Sequence, residues 1–518
     1  MPSAAATLMR PGALSLLVLL GLTGCVRLGP DFQSPRPAWL GQWNTPALAQ
    51  STQRSATPDV RQWWQVFADP LLDRLIAEAD AHNSDLKIAG LRLLEARAQL
   101  GIAQSGRYPQ LQQASADSLY FNRRQSGGIN PLDNHFWQHS VGFDVGWELD
   151  FWGRFSRAIE SSDASYFAAQ ANYEDVLVLL RAQVADTYFA LRTTEARLRV
   201  AKQNAQQQQR NFEITEKLFN SGQTAELDLQ QAKTQYLGTL STLPGFEEQL
   251  HRTRNALAAL VGQPPGGLPP LAEYEGLIPL VDRAVLQDVP ADLLQRRPDV
   301  RAAELNVAAQ SALIGVAESD FYPSLTLLGS IVWSTDTLSG TPRNLDLIGG
   351  PSLRWNLFDH GQISNNVRVQ DARLQQLIEA YRDKVRQAAR EADDAAVGLI
   401  KSLERERILG AAGTAAERSL VLASTQYREG YSDFQRVLDA QRALLEQQDN
   451  YLVSRSSAVS NLIALYKALG GGWYSAQPTV DPATRQQMQQ RTDWGDLLDQ
   501  PSAASSARPQ SNEASPHE

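Results

Sequence analysis

Hydrophobic and polar residues alternate along several short segments of the chain. Between Trp137 and Phe151 every odd position except His139 is apolar, and the even positions carry only Gln, Ser, Gly, Asp and Glu. A period of two residues predicts a long β-strand with one apolar and one polar face. The same alternation in residues 325–333 and 347–357 predicts two more strands, and a weaker stretch over residues 111–121 predicts a fourth.

Longer segments follow a period near three and a half residues. From Gly153 to Asn220 there is no proline, and apolar or small residues recur at alternating steps of four and three. This pattern predicts a helix of about 68 residues, about 100 Å long, that packs in the manner of a coiled coil. The chain then turns at Ser221-Gly222 and returns in a helix that we expect to break near Pro244-Gly245. Residues 361–428 predict an equivalent long helix.

The two halves of the chain follow one plan. Tyr108-Pro109 recurs 214 residues later as Tyr322-Pro323, and Gly153 recurs 208 residues later as Gly361. A fixed offset over many positions indicates an internal duplication. We therefore expect two repeats, each with a helix, two strands and a long helical hairpin, over residues 61–270 and 271–473.

Four strands are too few to close a membrane barrel, since the smallest such barrels have about eight. The aromatic residues near the strand ends and the acidic polar face favour a membrane barrel with a water-filled lumen over the alternative, a soluble β-sandwich. Closure must then come from several chains. The expected fold is an α+β membrane protein in which a strand-strand-long helix-helix unit is duplicated.

The N-terminus has the features of a targeting segment. Arg10 precedes an apolar run from Gly12 to Leu22, which is too short to span a bilayer and is typical of a signal peptide over residues 1–24. The run ends in Leu22-Thr23-Gly24-Cys25, which resembles a bacterial lipobox. Cys25 would carry covalent diacylglycerol and N-acyl lipid, beginning a linker over residues 25–60. An ordinary signal peptide followed by a buried cysteine is the alternative, and Val26 after the cysteine favours the outer membrane.

Composition excludes several classes of function. The 518 residues include 48 Lys and Arg against 57 Asp and Glu, a net charge of -9 that argues against nucleic acid as a partner. A single cysteine excludes an intrachain disulfide. No P-loop motif occurs, so any energy for transport must come from a partner. His135 and His139 lie too far apart on a strand to share a metal, and we expect neither catalytic nor metal-binding residues.

Six separated strings stand out from the periodic pattern. They are residues 25–32 (CVRLGPDF), 63–72 (WWQVFADPLL), 150–154 (DFWGR), 293–304 (LLQRRPDVRAAE), 321–325 (FYPSL) and 464–473 (ALYKALGGGW). With these strings the chain resembles the outer-membrane efflux channels of the TolC type, most closely their NodT-like lipoprotein branch. The resemblance extends from Cys25 to Trp473.

The resemblance implies a homotrimer in which twelve strands form a β-barrel in the outer membrane, continued across the periplasm by an α-helical barrel. It implies a periplasmic adaptor (membrane fusion) protein and an inner-membrane efflux pump as partners, besides outer-membrane lipid. The implied function is passive exit of drugs or toxic small molecules. A lipid-anchored structural or protein-secretion conduit that spans the periplasm is the alternative.

The resemblance also implies a periplasmic gate at Tyr427, Asp439 and Arg442. On the sequence alone, Asp439 and Arg442 are simply an exposed i,i+3 pair. The positions 208 residues earlier carry no charge, and we therefore hypothesise that the second hairpin is the moving, pH- and salt-sensitive jaw while the first is a quieter frame. These equivalent positions are Phe219, Gln231 and Thr234.

Adaptor docking is expected at the two helix turns, where glycine permits a tight reversal. The expected docking residues are Ser221, Gly222, Thr224, Leu227, Gly430, Tyr431 and Phe434.

Three acidic residues follow the polar face of the strand that begins near Trp137. Asp144, Glu148 and Asp150 should make the barrel lumen acidic and mildly cation-favouring. The last segment, residues 474–518, is rich in Gln, Ser, Ala and Pro, and we predict that most of it is a disordered periplasmic tail.

Overall fold

Helices and strands alternate along the chain in the computed structural model, which describes residues 26–35, 37, 60–122, 135–268, 278–282, 293–337, 343–473 and 480–498. The signal peptide and Cys25 lie outside the described residues. In chain order the elements are α1 Pro70–His82, α2 Ser84–Ser105, β1 Leu111–Asn122, β2 His135–Glu148, α3 Arg154–Asn220, α4 Glu226–Leu240, α5 Leu243–Leu260, α6 Leu293–Arg296, α7 Pro298–Glu318, β3 Ser324–Asp336, β4 Arg343–Arg354, α8 Gln362–Arg428, α9 Phe434–Ala468 and α10 Pro482–Arg491.

The helices occur in the same order in both halves. The long helices α3 and α8 each contain 67 residues, as their uninterrupted heptad-like pattern predicts. The first return helix is broken between α4 and α5, because Pro244 stands in the first turn of α5 and proline is excluded from a helix interior. The second return, α9, has no proline and runs unbroken for 35 residues. No described helix has the length and hydrophobicity needed to cross a membrane.

The four strands form one antiparallel sheet in the order β1-β2-β3-β4. Phe143 of β2 lies opposite Ile331 of β3, which lies opposite Leu347 of β4. These three apolar side chains are 45%, 50% and 68% exposed, so the apolar face of the sheet is an exposed face. A sheet in water buries its apolar face, and this reversal is typical of strands that face lipid.

Two strands end earlier than their sequence pattern predicts. β2 ends at Glu148 and β4 at Arg354, so Leu149 and Phe151 in one segment and Trp355 and Leu357 in the other lie beyond the sheet. The alternation continues past the strand because the residues that follow β2 already turn toward α3. Among the described residues, the outer strands β1 and β4 each pair on one side only.

The chain divides into two compact units. The first unit comprises the described residues up to Pro35 together with Leu94–Ala168 and Ala303–Tyr381, and it contains the sheet. The second unit comprises the described parts of residues 36–93, 169–302 and 382–518 and is helical. The predicted seam of α3 is buried in this unit, at Tyr173, Leu177, Leu180, Val184, Leu191, Leu198, Ala201 and Ala205.

Part of the C-terminal segment is folded, which corrects the prediction of a disordered tail for residues 480–498. Asp481 caps α10 by accepting a hydrogen bond from the backbone N–H of Thr484 at 3.0 Å, and Pro482 occupies the first turn. Met488 of α10 and Leu498 after it are buried. The segment forms one wall of a cavity of about 270 Å³ beside α1, α2 and α3. The composition is polar overall, but a cap and two apolar anchors suffice for one short helix.

A network of charged side chains lies where α3, α7 and α8 meet in the second unit. The guanidinium of Arg297 contacts the carboxylates of Asp299 at 3.0 Å and of Glu391 at 2.9 Å, and it donates to the backbone carbonyl of Ala468 at 2.8 Å. Lys384 lies 3.7 Å from Asp299. These contacts join the start of α7 to α8 and to the end of α9.

Asp175 of α3 faces this network. Burial raises the pKa of its carboxyl to about 6, and the negative charge of Asp299 raises it further, whereas Arg297 and Lys384 oppose the shift. The charge of Glu391 also acts to raise it. Asp175 is therefore partly protonated near neutral pH, unlike an ordinary aspartate.

Replacing Asp175 by Asn should stabilise the protein at neutral pH. Because the pKa of the folded carboxyl lies above its unfolded value, the protonated form stabilises the fold at low pH and this contribution is lost as pH rises through about 6. We expect Asp175→Asn to raise the free energy of unfolding by about 2–3 kcal/mol at pH 7.5 and by little at pH 4. Thermal unfolding followed by circular dichroism at both pH values measures this. Asp371→Asn, on the exposed face of α8, is the control, and equal effects of the two variants would contradict the assignment.

Candidate functional site

The two long hairpins turn through the same backbone geometry. Gly222 and Gly430 have φ angles of +71° and +78°, and the backbone N–H groups that follow them donate to Leu218 and Gln426 at 2.8 and 2.9 Å. A Cβ added at either glycine would meet nothing within 4 Å. Glycine is therefore required at both turns by the left-handed backbone conformation, not by crowding.

Beneath the second turn lies a small apolar cluster. Phe434, at the start of α9, is only 4% exposed, and its ring centroid lies 5.1 Å from that of Tyr427 on α8. The buried members of the cluster are Ala232, Leu420, Phe434, Val437, Leu438 and Leu444. The cluster joins α4 of the first hairpin to α8 and α9 of the second.

The prediction that Phe434 contacts an adaptor is wrong, because its ring fills this cluster. The apolar side chains that the turns do expose are Leu227, at 65%, and Tyr431, at 82%. Ser221 and the two turn glycines are also exposed. The docking prediction therefore remains for the other residues.

Asp439 and Arg442 form the i,i+3 ion pair that their spacing predicts. The Nη1 atom of Arg442 lies 3.1 Å from Oδ1 of Asp439, and both side chains are more than half exposed. The same carboxylate oxygen accepts a hydrogen bond from Gln435 at 2.9 Å. The Nε atom of Arg442 donates to Gln235 of α4 at 2.9 Å, so the pair also bridges to the first hairpin.

Tyr427 makes a second bridge between the hairpins. Its hydroxyl is hydrogen-bonded to Thr224, whose own hydroxyl donates to the carboxylate of Asp228 at 2.5 Å. Burial and the charge of Asp228 raise the pKa of Tyr427, against the effect of the Thr224 bond. Tyr427, Asp439 and Arg442 are thus all tied to, or adjacent to, side chains that contact the first hairpin.

The repeat-related positions do not make these bridges. The hydroxyl of Thr234 donates to the backbone carbonyl of Gln230 in its own helix at 2.8 Å, and Arg442 reaches Gln235, one residue further along. The sequence analysis missed Gln235, which carries no motif. Asp228 could have been found, because Thr224, Glu226 and Asp228 form the polar start typical of a helix.

The three predicted lumen residues have different surroundings. The carboxylate of Asp144 accepts a hydrogen bond from its cross-strand partner Ser330 at 2.7 Å. Glu148, the last residue of β2, lies 3.9 Å from Arg154. Both remain on the polar face of the sheet, opposite in alternation to the exposed apolar residues of β2.

The assignment of Asp150 to the lumen is corrected by the structure. Asp150 lies beyond β2 and caps α3, because its carboxylate accepts hydrogen bonds from the backbone N–H groups of Phe155 and Ser156 at 3.0 and 2.9 Å and from the Ser156 hydroxyl at 2.6 Å. A carboxylate at a helix N-terminus stabilises the helix. Its role is therefore structural.

Within the described ranges, no group of three or more His, Cys, Asp or Glu side chains is arranged to hold a metal ion. His139 hydrogen-bonds the hydroxyl of Ser118 on β1 at 3.0 Å. His135 instead stacks on Tyr120, with ring centroids 6.4 Å apart.

Comparison with known proteins gives consistent matches along most of the chain. The family model described as "Outer membrane efflux protein" matches residues 75–263 and 289–471. Probable outer membrane lipoprotein SilC of Salmonella typhimurium is 30% identical over 479 residues, which cover 89% of this chain and 98% of SilC. Pyoverdine export outer membrane protein OpmQ of Pseudomonas putida is 30% identical over 482 residues, covering 90% and 99%. The solved structure of the outer-membrane channel OprN is 31% identical with a TM-score of 0.78, covering 86% and 99%.

Replacement of Asp150 by Ala should destabilise the start of α3. Loss of the cap leaves two backbone N–H groups without their carboxylate acceptor, which costs about 1 kcal/mol in free energy of unfolding. Asp150→Ser, which retains a side-chain oxygen, should recover most of this loss. Thermal unfolding measures it, and Asp144→Ala is the comparison. A full-sized loss for Asp150→Ser would show that Asp150 does not act as a cap.

Proposed function

Because the chain belongs to the outer membrane efflux protein family, we propose that three copies of it form the exit duct of a tripartite efflux system. The chain is an outer-membrane efflux channel, located in the outer membrane and extending into the periplasm. The observation that carries the proposal is the exposed apolar face of the sheet in a chain whose two repeats both match the family. Drugs or toxic small molecules would pass through the duct without energy input from the channel.

Trimer formation would complete the barrel. β1 and β4 run in opposite directions at the two edges of the sheet, so β4 of one copy can pair antiparallel with β1 of the next. Three copies supply twelve strands and leave no edge, which a lipid-exposed sheet requires. The exposed apolar side chains Phe143, Ile331 and Leu347 support lipid as the surroundings of the outer face. The long helices would continue the barrel as a periplasmic tunnel.

Partners must supply the energy and choose the cargo. We propose that a periplasmic adaptor binds the exposed turn residues, among them Leu227 and Tyr431, and links the channel to an inner-membrane pump. Relatives named for cation efflux, pyoverdine export and solvent efflux are each 30% identical to this chain. Equal similarity to relatives with different cargo supports a duct whose selectivity resides mainly in the pump.

The contacts at the helix tips support a gate at Tyr427, Asp439 and Arg442. An exposed ion pair stabilises by about 0–1 kcal/mol, so three copies would hold the tunnel shut by about 1–3 kcal/mol. Moving a gate from 1:99 to 99:1 takes about 5.5 kcal/mol, which adaptor and pump contacts can supply. The bridges to Gln235 and Thr224 would hold the moving second hairpin against the first.

Lipid on Cys25 would anchor each copy. The lipobox-like sequence Leu22-Thr23-Gly24-Cys25 and the similarity to the lipoprotein SilC support this modification. A protein with several acyl chains is held permanently in a membrane, whereas one chain gives only marginal binding.

The purified protein should conduct ions in a planar bilayer as a single class of channel, and a strain without it should become drug-sensitive. In a salt gradient the reversal potential should indicate cation preference, because Asp144 and Glu148 lie on the polar face of the sheet. Asp144→Asn should reduce this preference and Asp150→Asn should leave it unchanged. Absence of conductance together with unchanged drug sensitivity would favour a structural or protein-secretion conduit.

Asp439→Ala combined with Arg442→Ala should raise the single-channel conductance, since the pair and its bridge to Gln235 are removed. Gln235→Ala alone should give a smaller rise. High salt should raise the wild-type conductance beyond the bulk effect, because exposed pairs are screened. The matched control is Gln231→Ala with Thr234→Ala in the first hairpin. If the control opened the channel as much, the assignment of the second hairpin as the moving jaw would be wrong.

A further inference from the structure

Residues 26–35, here called the strap, lie against the first unit's helices. The backbone N–H of Leu28 donates to the carbonyl of Trp152 at 3.3 Å. Further along, the hydroxyl of Ser311 on α7 donates to the carbonyl of Pro30 at 3.4 Å, and Ser34 donates to the carboxylate of Glu304. A linker that served only as a tether would have no need of these contacts.

One buried arginine binds most of the polar groups of the strap. Arg157 of α3 is 2% exposed. Its Nε donates to the Leu28 carbonyl at 2.9 Å, and its Nη2 donates to the Gly29 carbonyl at 3.2 Å and to the Asp31 carboxylate at 2.9 Å. The third nitrogen, Nη1, donates to Glu160 at 2.9 Å. A buried guanidinium is costly to leave without acceptors, so the strap and Arg157 stabilise each other.

The strap crosses α7 at a contact between two glycine backbones. A Cβ on Gly29 would lie 2.5 Å from the Cα of Gly315, and a Cβ on Gly315 would overlap the carbonyl oxygen of Leu28. Gly29 also has a φ of +83°. Only glycine at both positions permits so close an approach.

The internal duplication shows that this site is built for the strap. Gly315 recurs from Gly101, 214 residues earlier, where an added Cβ would meet nothing within 4 Å. Arg157 has its counterpart 208 residues later in Asn365, which is not an arginine. The chain has one N-terminus, and it carries one copy of the arginine and one crowded glycine.

The position of the strap limits where the lipid can be. Three residues separate Leu28 from Cys25, so Cys25 lies within about 10–11 Å of Leu28. Leu28 is bonded to Trp152, whose ring stacks on Tyr322 with centroids 4.5 Å apart and whose indole N–H donates to Pro323 at 2.8 Å. Trp152 follows β2 and Tyr322 precedes β3, the two central strands of the sheet. Paired Trp and Tyr rings are typical of the headgroup level of a membrane.

We propose that Arg157, Ser311 and Gly315 form a docking seat for the strap, which directs the acyl chains of Cys25 into the bilayer beside Trp152 and Tyr322, at the centre of each copy's sheet. The lipid then stabilises the inserted channel and does not serve only as a tether. This inference rests on the proposed lipidation of Cys25. It does not depend on ion conduction.

Trypsin cleavage after Arg27 measures release of the strap in the full-length, membrane-extracted protein. Because slow cleavage tracks the population of the open form, Gly315→Ala should speed the appearance of a chain beginning at Leu28 by about tenfold or more. Gly101→Ala should leave the rate unchanged. Alanine favours a helix over glycine at both sites, so an effect on helix stability alone would be the same in the two variants.

Arg157→Gln is the second variant, and it covers the case in which Gly315→Ala does not fold. It should also speed cleavage after Arg27, since it removes the charged donor to Asp31 and both strap carbonyls. Mass spectrometry of the N-terminal fragment gives the rate. Equal cleavage rates for Gly315→Ala and Gly101→Ala, or a wild-type rate for Arg157→Gln, would overturn the seat.

A combination of variants tests the link to the lipid. Cys25→Ser, exported with a signal peptide that does not need the cysteine, and Gly315→Ala should each lower the yield of trimer in the outer membrane. If seat and lipid act together, the double variant should be no worse than Cys25→Ser alone. Losses that multiply would show that the seat serves packing only. Wild-type N-termini without acyl mass would overturn the proposal, whereas conductance of the same sample tests the channel separately.

Discussion

The side chains that a sheet in water would bury, among them Val141, Phe143, Ile331 and Leu347, are exposed on one face of a four-stranded sheet with unpaired outer strands. Apolar surface of this kind is stable only against lipid, and open strand edges are not stable in lipid at all. Both requirements are met together when several copies close the sheet. The duplicated helical hairpins, the lipid and the gate have a function only in such an assembly.

The duplication supplies a frame that the two halves then use differently. Both hairpins turn at a glycine with positive φ and the same hydrogen-bond pattern, yet only the second carries the pair Asp439–Arg442. Likewise only the second-half Gly315 is crossed by another backbone, while Gly101 faces open space. Divergence between repeats is therefore concentrated at the tips and beside the sheet, where each chain contacts something outside its own hairpin.

Most polar contacts at these two places join segments far apart in sequence. Arg442 meets Gln235 across 207 residues, and Arg157 meets Asp31 across 126. A guanidinium can serve as such a connector because its planar array of donors binds carbonyls and carboxylates at once. At the exposed tip the contact is weak enough to open, whereas at the buried strap the same chemistry holds a segment in place.

The sequence alone determined the periodic elements, because strand alternation and the heptad-like spacing of α3 and α8 are local properties of side-chain direction. It also determined the duplication, the break at Pro244 and the ion pair of Asp439 with Arg442. Only the tertiary structure decided that Asp150 caps α3, that Phe434 is buried, that residues 480–498 fold, and that Gln235 and Arg157 bind distant segments. Each of these depends on which backbone or side chain arrives from elsewhere in the chain, and no local pattern records that neighbour.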